Sequence, residues 1–397
     1  MLTVCDIILS LKFLERESLF MNTRDNKINF ETKTKTILLT ITESCNLNCV
    51  YCYEDYKCNK AMDFETAIRI IDHELASLPD GITLDVSYIG GEPFINFDLM
   101  KSVYEYYDSK GIQNIVYTCS SNGTLVHGEI KDWVAKHFPK FSYNLSLDGT
   151  KEVQNYNRSN SFDLIDLDFY IQLYGSKGFV KMTMYPDTIC HLAESIKFIH
   201  SKGLIAVANC AYGVDWSDPE VLEIYKEQLL ELIQFYLDNP TLELCSLLKL
   251  NIRIFAYDTN YKPWCGIEKM TVFNTEGKGF PCHFFQDLTV GKELSSKLPY
   301  LDVNRLIDYM DPVCKTCEFI NLCPTCFGSN YKSTGCFNKR DMNVCKTFRL
   351  ELYANALFHL KRIEKYGIDN LGLTPTEQKE LYEGICKISQ YIDPDNL

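Results

Sequence analysis

Apolar and polar residues alternate in six short, β-branched runs, and amphipathic stretches with apolar positions three and four residues apart lie between them. The runs are TILLTIT (36–42), ITLDVSYIG (82–90), NIVYTCSSNG (114–123), FSYNLSLDG (141–149), FVKMTMYP (179–186) and LIAVANCAY (204–212). The clearest helix is MDFETAIRIIDHELASL, with Asp63 as its cap and Thr66 to Ile71 facing inward. Repeated strand–helix units predict a parallel sheet, open or closed into a barrel, with the loops at the strands' carboxyl ends free for chemistry.

Composition narrows the function classes. A chain of 397 residues, 46% apolar, can bury one large core plus a smaller appended unit. The formal charge of -13, with no basic run, repels a phosphate backbone and excludes nucleic acid as the expected partner. The opening MLTVCDIILSLKFLERE is broken by Asp6, Lys12, Glu15 and Arg16, so neither a signal peptide nor a membrane span is expected. Eighteen cysteines without a secretory signal fit a reducing, cytoplasmic location in which thiols serve metals or catalysis.

Those cysteines fall in two regions. Cys45, Cys49 and Cys52 form CxxxCxxC in the loop after the first strand, where a barrel keeps its active site. Cys265, Cys282, Cys314, Cys317, Cys323, Cys326, Cys336 and Cys345 crowd one later stretch. The first group reads either as a zinc site borrowing a ligand, as buried structural thiols, or as three ligands of an iron–sulfur cluster with one iron left open. The remaining Cys5, Cys58, Cys119, Cys190, Cys210, Cys245 and Cys386 read as bystanders.

With Tyr51 before its last cysteine, this motif resembles the signature of the radical S-adenosylmethionine (SAM) superfamily. The resemblance implies that the open iron chelates SAM and that one electron splits it into a 5′-deoxyadenosyl radical, which removes hydrogen from a substrate. It extends from residue 36 to about 240 through motifs at successive strand ends. Gly90, Gly91, Glu92 and Pro93 (GGEP), Ser121 and Asn122 (SSNGT), Ser146 and Asp148 (SLDGT), and Arg158 (NYNR) match the family's cofactor contacts. The glycines would let backbone carbonyls approach the cofactor ammonium, and Arg158 would meet the methionyl carboxylate.

The later cysteines resemble the SPASM extension of such enzymes, a paired-CxxC zinc ribbon being the alternative. The resemblance implies two auxiliary 4Fe-4S clusters, making three in all. Cys314, Cys317, Cys323 and Cys345 would hold the distal one, and Cys265, Cys282 and Cys326 the proximal one, with Cys336 filling its fourth position or an iron left open to a substrate thiolate. The spacing CxxxxxCxxC departs from the family's usual CxxxxxCxxxC at Pro324 and Thr325.

The implied fold is α/β: an N-terminal extension (1–35), a partial (β/α)6 TIM-like barrel (36–240), a SPASM-type auxiliary-cluster domain (241–346) and a C-terminal helical segment (347–397). The implied function is an oxidoreductase that matures a ribosomally made precursor peptide, thioether crosslinking being favoured. Sulfatase maturation, epimerisation and carbon–carbon crosslinking are the alternatives, and an iron–sulfur electron carrier or zinc-binding module would be the non-enzymes. Sulfatase-maturing enzymes carry an aspartate where this chain has His283 after Cys282. Implied partners are the precursor peptide and a flavodoxin or ferredoxin as electron donor; the segment before Thr36 being too short for the usual leader-binding domain, leader recognition is expected either from a separate protein or from a groove contributed by the N-terminal segment and the C-terminal helix. Glu54, Asp55, His283 and Asp287 are the candidate acids or bases, and FRLELYANALFHLKRIEKYG is expected to be a packing helix with an apolar stripe.

Overall fold

The computed structural model describes residues 33–257, 267, 270–303 and 305–393, so Cys265, Cys5 and most of the N-terminal extension lie outside the described residues. Residues Thr34–Leu397 form one compact unit. The six expected strands are present as β1 (Thr34–Thr42), β2 (Thr83–Gly90), β3 (Ile115–Ser121), β4 (Phe141–Ser146), β5 (Phe179–Met184) and β6 (Ile205–Cys210). Each pairs in parallel with the next. The crossovers are α1 (Phe64–Ala76), α2 (Phe97–Ser109), α3 (Gly128–His137), α4 (Lys151–Asn157) with α5 (Leu167–Tyr174), and α6 (Leu192–Ser201); α7 (Pro219–Asp238) follows β6.

Strand alternation divides the sheet chemically. Ile37, Leu39, Val86, Tyr88, Tyr117, Phe141, Tyr143 and Val180 are buried in the main core, which the surrounding helices complete. Full burial of each aliphatic side chain contributes about 1.5–3 kcal/mol. The alternate positions Leu38, Ser87, Ile89, Ser120, Asn144, Ser146, Lys181 and Thr183 face the opposite way and line a cavity. In α1 the Asp63 side chain accepts the Thr66 N–H, as the sequence predicts. Its buried face is Ala67, Ile70, Ile71 and Glu74 rather than the whole run from Thr66 to Ile71, because a helix turns each successive side chain by 100°.

The sheet does not end at six strands. β7 (Met270–Phe273) lies parallel against the free side of β1, and β8 (Gly279–Phe280) pairs antiparallel with β7, giving the order β6-β5-β4-β3-β2-β1-β7-β8. The polypeptide continues through α8 (Asp287–Ser296), α9 (Pro312–Lys315), α10 (Phe327–Thr334), α11 (Asn343–Tyr366) and α12 (Pro375–Tyr391). The C-terminal segment therefore holds two helices rather than one. α11 is apolar on two faces: Val344, Leu350, Ala354 and Phe358 join the main core, while Phe348, Leu352 and Ala356 pack with Leu381, Ile385 and Ile388 of α12. Thr374 and Glu377 form a capping box at the start of α12. Among the described residues, no helix is long and apolar enough to cross a membrane.

One ionisable group in this packing makes stability depend on pH. Burial pushes the Glu351 carboxyl up from 4.5 to about 7, although the Tyr225 hydroxyl donates to it at 3.0 Å. A carboxyl whose pKa is higher folded than unfolded stays protonated in the native state, so its contribution to stability is lost as pH rises through that window. Glu351→Gln is expected to raise the melting temperature relative to the parent increasingly between about pH 5 and about pH 8, measured by differential scanning fluorimetry. A gap that is constant across that range would exclude Glu351 as the source.

Candidate functional site

The loop after β1 is fixed by the ends of its neighbours. Gly91 N–H donates to Thr42 O (3.1 Å) and Glu92 N–H to Ser44 O (2.9 Å), fastening the end of β2 to the cysteine loop. A Cβ on Gly91 would stand 2.3 Å from Ser44 O and 2.9 Å from Cys45 Cβ, and one on Gly90 would stand 2.0 Å from Thr42 O. These glycines thus permit strand-to-loop contact, a demand separate from the expected approach of carbonyls to a cofactor. Gly91→Ala is expected to cost about 1–3 kcal/mol by overpacking and to lower the iron retained by the three-cysteine loop, read by melting temperature and iron assay. The end of β3 holds the loop through Asn122 Nδ2 to Asn46 Oδ1 (2.9 Å) and Asn46 Nδ2 to Thr124 Oγ1 (2.8 Å). Beyond β4, Asn157 O accepts from Val50 N–H at 3.0 Å, and Ser159 Oγ from Asn48 N–H at 2.9 Å.

So held, Cys45, Cys49 and Cys52 open on a cavity of about 660 Å³, a size typical of ligand sites. Tyr51, Gly90, Gly91, Glu92, Ser121, Asn122, Ser146 and Arg158 share its wall, as do Cys282, His283 and Cys326 from the later cysteine region. Asp148 and Pro93 are not part of that wall. Pro93 is buried and opens a 3-10 turn, Pro93–Asn96, in which Glu92 accepts the Phe94 N–H. Asp148, fully buried, organises the wall from behind. It accepts from the Tyr51 hydroxyl, from Asn157 Nδ2 (3.2 Å) and from Thr183 N–H (2.9 Å), and pairs with Arg158 Nε at 3.1 Å. The Arg158 guanidinium lies over the Tyr51 ring, 5.3 Å from its centroid.

Glu92 is buried, and that burial pushes its carboxyl up to about 7 even though Asn122 N–H and Ser121 Oγ donate to it, each at 2.8 Å. Of the four candidate acids and bases, the cavity contains Glu54 and His283. Burial raises Glu54 to about 7, against Lys57 and His283, and lowers His283 to about 4, so the imidazole is neutral near pH 7. Asp55 is exposed and pairs with Lys332 at 2.8 Å, and Asp287 opens α8 away from the cavity. Two lysines escaped the sequence reading. Lys57 donates to Cys52 Sγ at 2.9 Å, and Lys181 to Ser120 Oγ at 2.8 Å. The alternation in FVKMTM marks Lys181 and Thr183 as opposite in facing to Val180, Met182 and Met184, which was the signal available.

Cys314, Cys317, Cys323 and Cys345 form a separate group. Cys323 feels both Cys317 and Cys345, and Cys314 feels Cys323 and Cys345. Cys336 is exposed beside the end of α10 and does not reach the cavity. The donor chemistry in both places fits iron–sulfur clusters. Burial pushes Cys45 and Cys314 up to about 11, so each thiol ionises near neutral pH only against a strong positive charge such as a metal. Among the described residues, no three His, Cys, Asp or Glu side chains converge closely enough for a single ion, whereas a four-iron cube spreads its ligands more widely.

Comparison with known proteins accords with this geometry. The sequence model of the Radical SAM superfamily matches residues 39–226. An uncharacterized protein of Methanocaldococcus jannaschii is 28% identical over 180 residues, 44% of this chain and 61% of the relative, so the chain spans less than two thirds of that relative's length. Radical SAM cyclopropyl synthase TigE of Paramaledivibacter caminithermalis is 22% identical over 378 residues, covering 87% of this chain and 79% of TigE. Among solved structures, anSMEcpe with bound AdoMet and Cp18Cys peptide superposes with a TM-score of 0.61 at 16% identity, over 83% of this chain and 98% of that one. Streptococcus suis SuiB bound to precursor peptide SuiA gives 0.53 at 14% identity, over 85% of each chain. Those two likenesses establish the fold, a partial barrel with a parallel sheet followed by a cysteine-rich region. Residues 39–226 are accordingly a radical SAM domain, and that family implies S-adenosylmethionine and a 4Fe-4S cluster.

Proposed function

We propose that the chain is a peptide maturase of the reducing cytoplasm, which abstracts hydrogen from a ribosomally made precursor and installs a crosslink, a thioether in the favoured case. When bound at Cys45, Cys49 and Cys52, a 4Fe-4S cluster with SAM supplies the single-electron chemistry that starts such a reaction. The protein's part is to hold and to shield. Arg158, kept ionised by Asp148 against the pull of burial, offers a fixed guanidinium for a carboxylate. Glu92, Ser121 and Asn122 offer polar contacts for an amine and a ribose. The carrying observation is that Cys282 and Cys326 share one cavity with Cys45, Cys49 and Cys52, so a substrate there touches both thiol groups. Cys282 and Cys326, with Cys265, are the proposed ligands of a second cluster, and Cys314, Cys317, Cys323 and Cys345 of a third. The exposed Cys336 favours leaving the second cluster an open position rather than a fourth thiolate.

A peptide substrate is supported by the names of the relatives: anSMEcpe holds a Cp18Cys peptide and SuiB a precursor peptide. The likeness to a cyclopropyl synthase along 378 residues favours carbon–carbon bond formation as the second reading. Anaerobically reconstituted protein, given dithionite and SAM, is expected to release 5′-deoxyadenosine and to carry iron for about three clusters. A candidate precursor should lose two hydrogens per crosslink by mass spectrometry. Alkylation of the product then separates the readings, since a thioether consumes a cysteine thiol and a carbon–carbon bond spares it. No release of 5′-deoxyadenosine would end both.

A further inference from the structure

We propose that Arg340 is the built-in counter-charge of an iron–sulfur cluster held by Cys314, Cys317, Cys323 and Cys345, and that it raises the reduction potential of that cluster. The inference rests on the assignment of these four cysteines as cluster ligands. Arg340 is only 5% exposed, and its Nη2 lies 3.7 Å from Cys323 Sγ. Its charge also acts on Cys314 and Cys345, so one guanidinium serves three of the four thiols. The carboxylate of Asp311 accepts the backbone N–H groups of Arg340 (2.9 Å) and Val313 (3.0 Å) and also feels the Arg340 charge, whereas the guanidinium itself points at Cys323 Sγ.

A buried cation is costly unless an anion faces it. Neutral thiols do not meet that need. Four thiolates around an iron–sulfur core do, because the assembly is anionic and gains one more negative charge when it accepts an electron. A fixed positive charge stabilises the reduced form more than the oxidised form, so the midpoint potential rises; hydrogen bonds to cluster sulfurs act in the same direction.

The test is an EPR-monitored redox titration of the reconstituted full chain, with dithionite as reductant. Cys314→Ala identifies which signal belongs to this group by removing it. Arg340→Gln is expected to shift the reduction equilibrium of that signal about tenfold toward the oxidised form, ~59 mV downward for a one-electron couple. Arg340→Lys keeps a charge but loses the planar fork, and should fall between the two; it carries the test if Arg340→Gln retains no iron. An unchanged potential in both variants would overturn the proposal, as would zinc in place of iron at this group. Release of 5′-deoxyadenosine depends on the other cysteine loop, so its failure is read separately.

Discussion

Replacing Cys49 by alanine is expected to lower 5′-deoxyadenosine release by more than about 100-fold, beyond the 10–100-fold typical when only an outer partner of a metal site is lost. Cys49 is the middle thiol of the loop, half-buried and within reach of Arg158, with Cys52 N–H donating to its carbonyl at 3.1 Å. No other thiol of the loop can take its place. Cys58 is exposed and donates to Glu43 Oε2 at 3.0 Å, outside the cavity. Cys58→Ala is therefore the internal control and should release product near the parent's level. If Cys49→Ala performs like Cys58→Ala under the same reductant, the three-thiol loop is not the catalytic centre.

The second large effect concerns folding. Asp148→Ala removes the acceptor shared by Tyr51, Asn157 and Thr183 and strands Arg158, itself only 8% exposed, without its anion. Removing one partner of a buried ion pair costs roughly 3–5 kcal/mol. The melting temperature of cluster-free protein should fall accordingly, and SAM affinity of the reconstituted protein should fall with it. Asp148→Asn keeps an oxygen acceptor and should land between. A direct cofactor ligand would behave differently, lowering affinity while leaving the cluster-free melting temperature at the parent's value.

These expectations show where sequence reasoning reaches. All six strands of the barrel were legible because each presents alternating faces and ends in a turn; the CxxxCxxC, GGEP, SSNGT and SLDGT motifs sit at the ends of β1 to β4, while Arg158 caps the end of α4. The cysteine groups were legible because their members lie close together in sequence. What escaped depends on partners far apart along the chain. Asp148 matched a cofactor motif, yet its bonds to Tyr51 and Thr183 cross 97 and 35 residues, and only the folded arrangement turns it from wall to support. β7 spans four residues and β8 two, too short for alternation to register. α11 has apolar residues on two faces, so a single-stripe reading captures half of its packing. α12 was readable in principle, since Thr374, Pro375 and Glu377 form a complete start signal.

The pairing of β7 with β1 also bears on how the protein can be dissected. Thr36 to Leu39 are zipped to Met270 to Phe273, and Thr40 Oγ1 reaches Gln286 at 2.8 Å. A fragment trimmed to the first 240 residues would turn β1 into a bare edge strand, and such unpaired ladders recruit other chains. Trimming should thus yield aggregates rather than a miniature enzyme. The later cysteine region acts as a molecular selvage that keeps the barrel from unravelling.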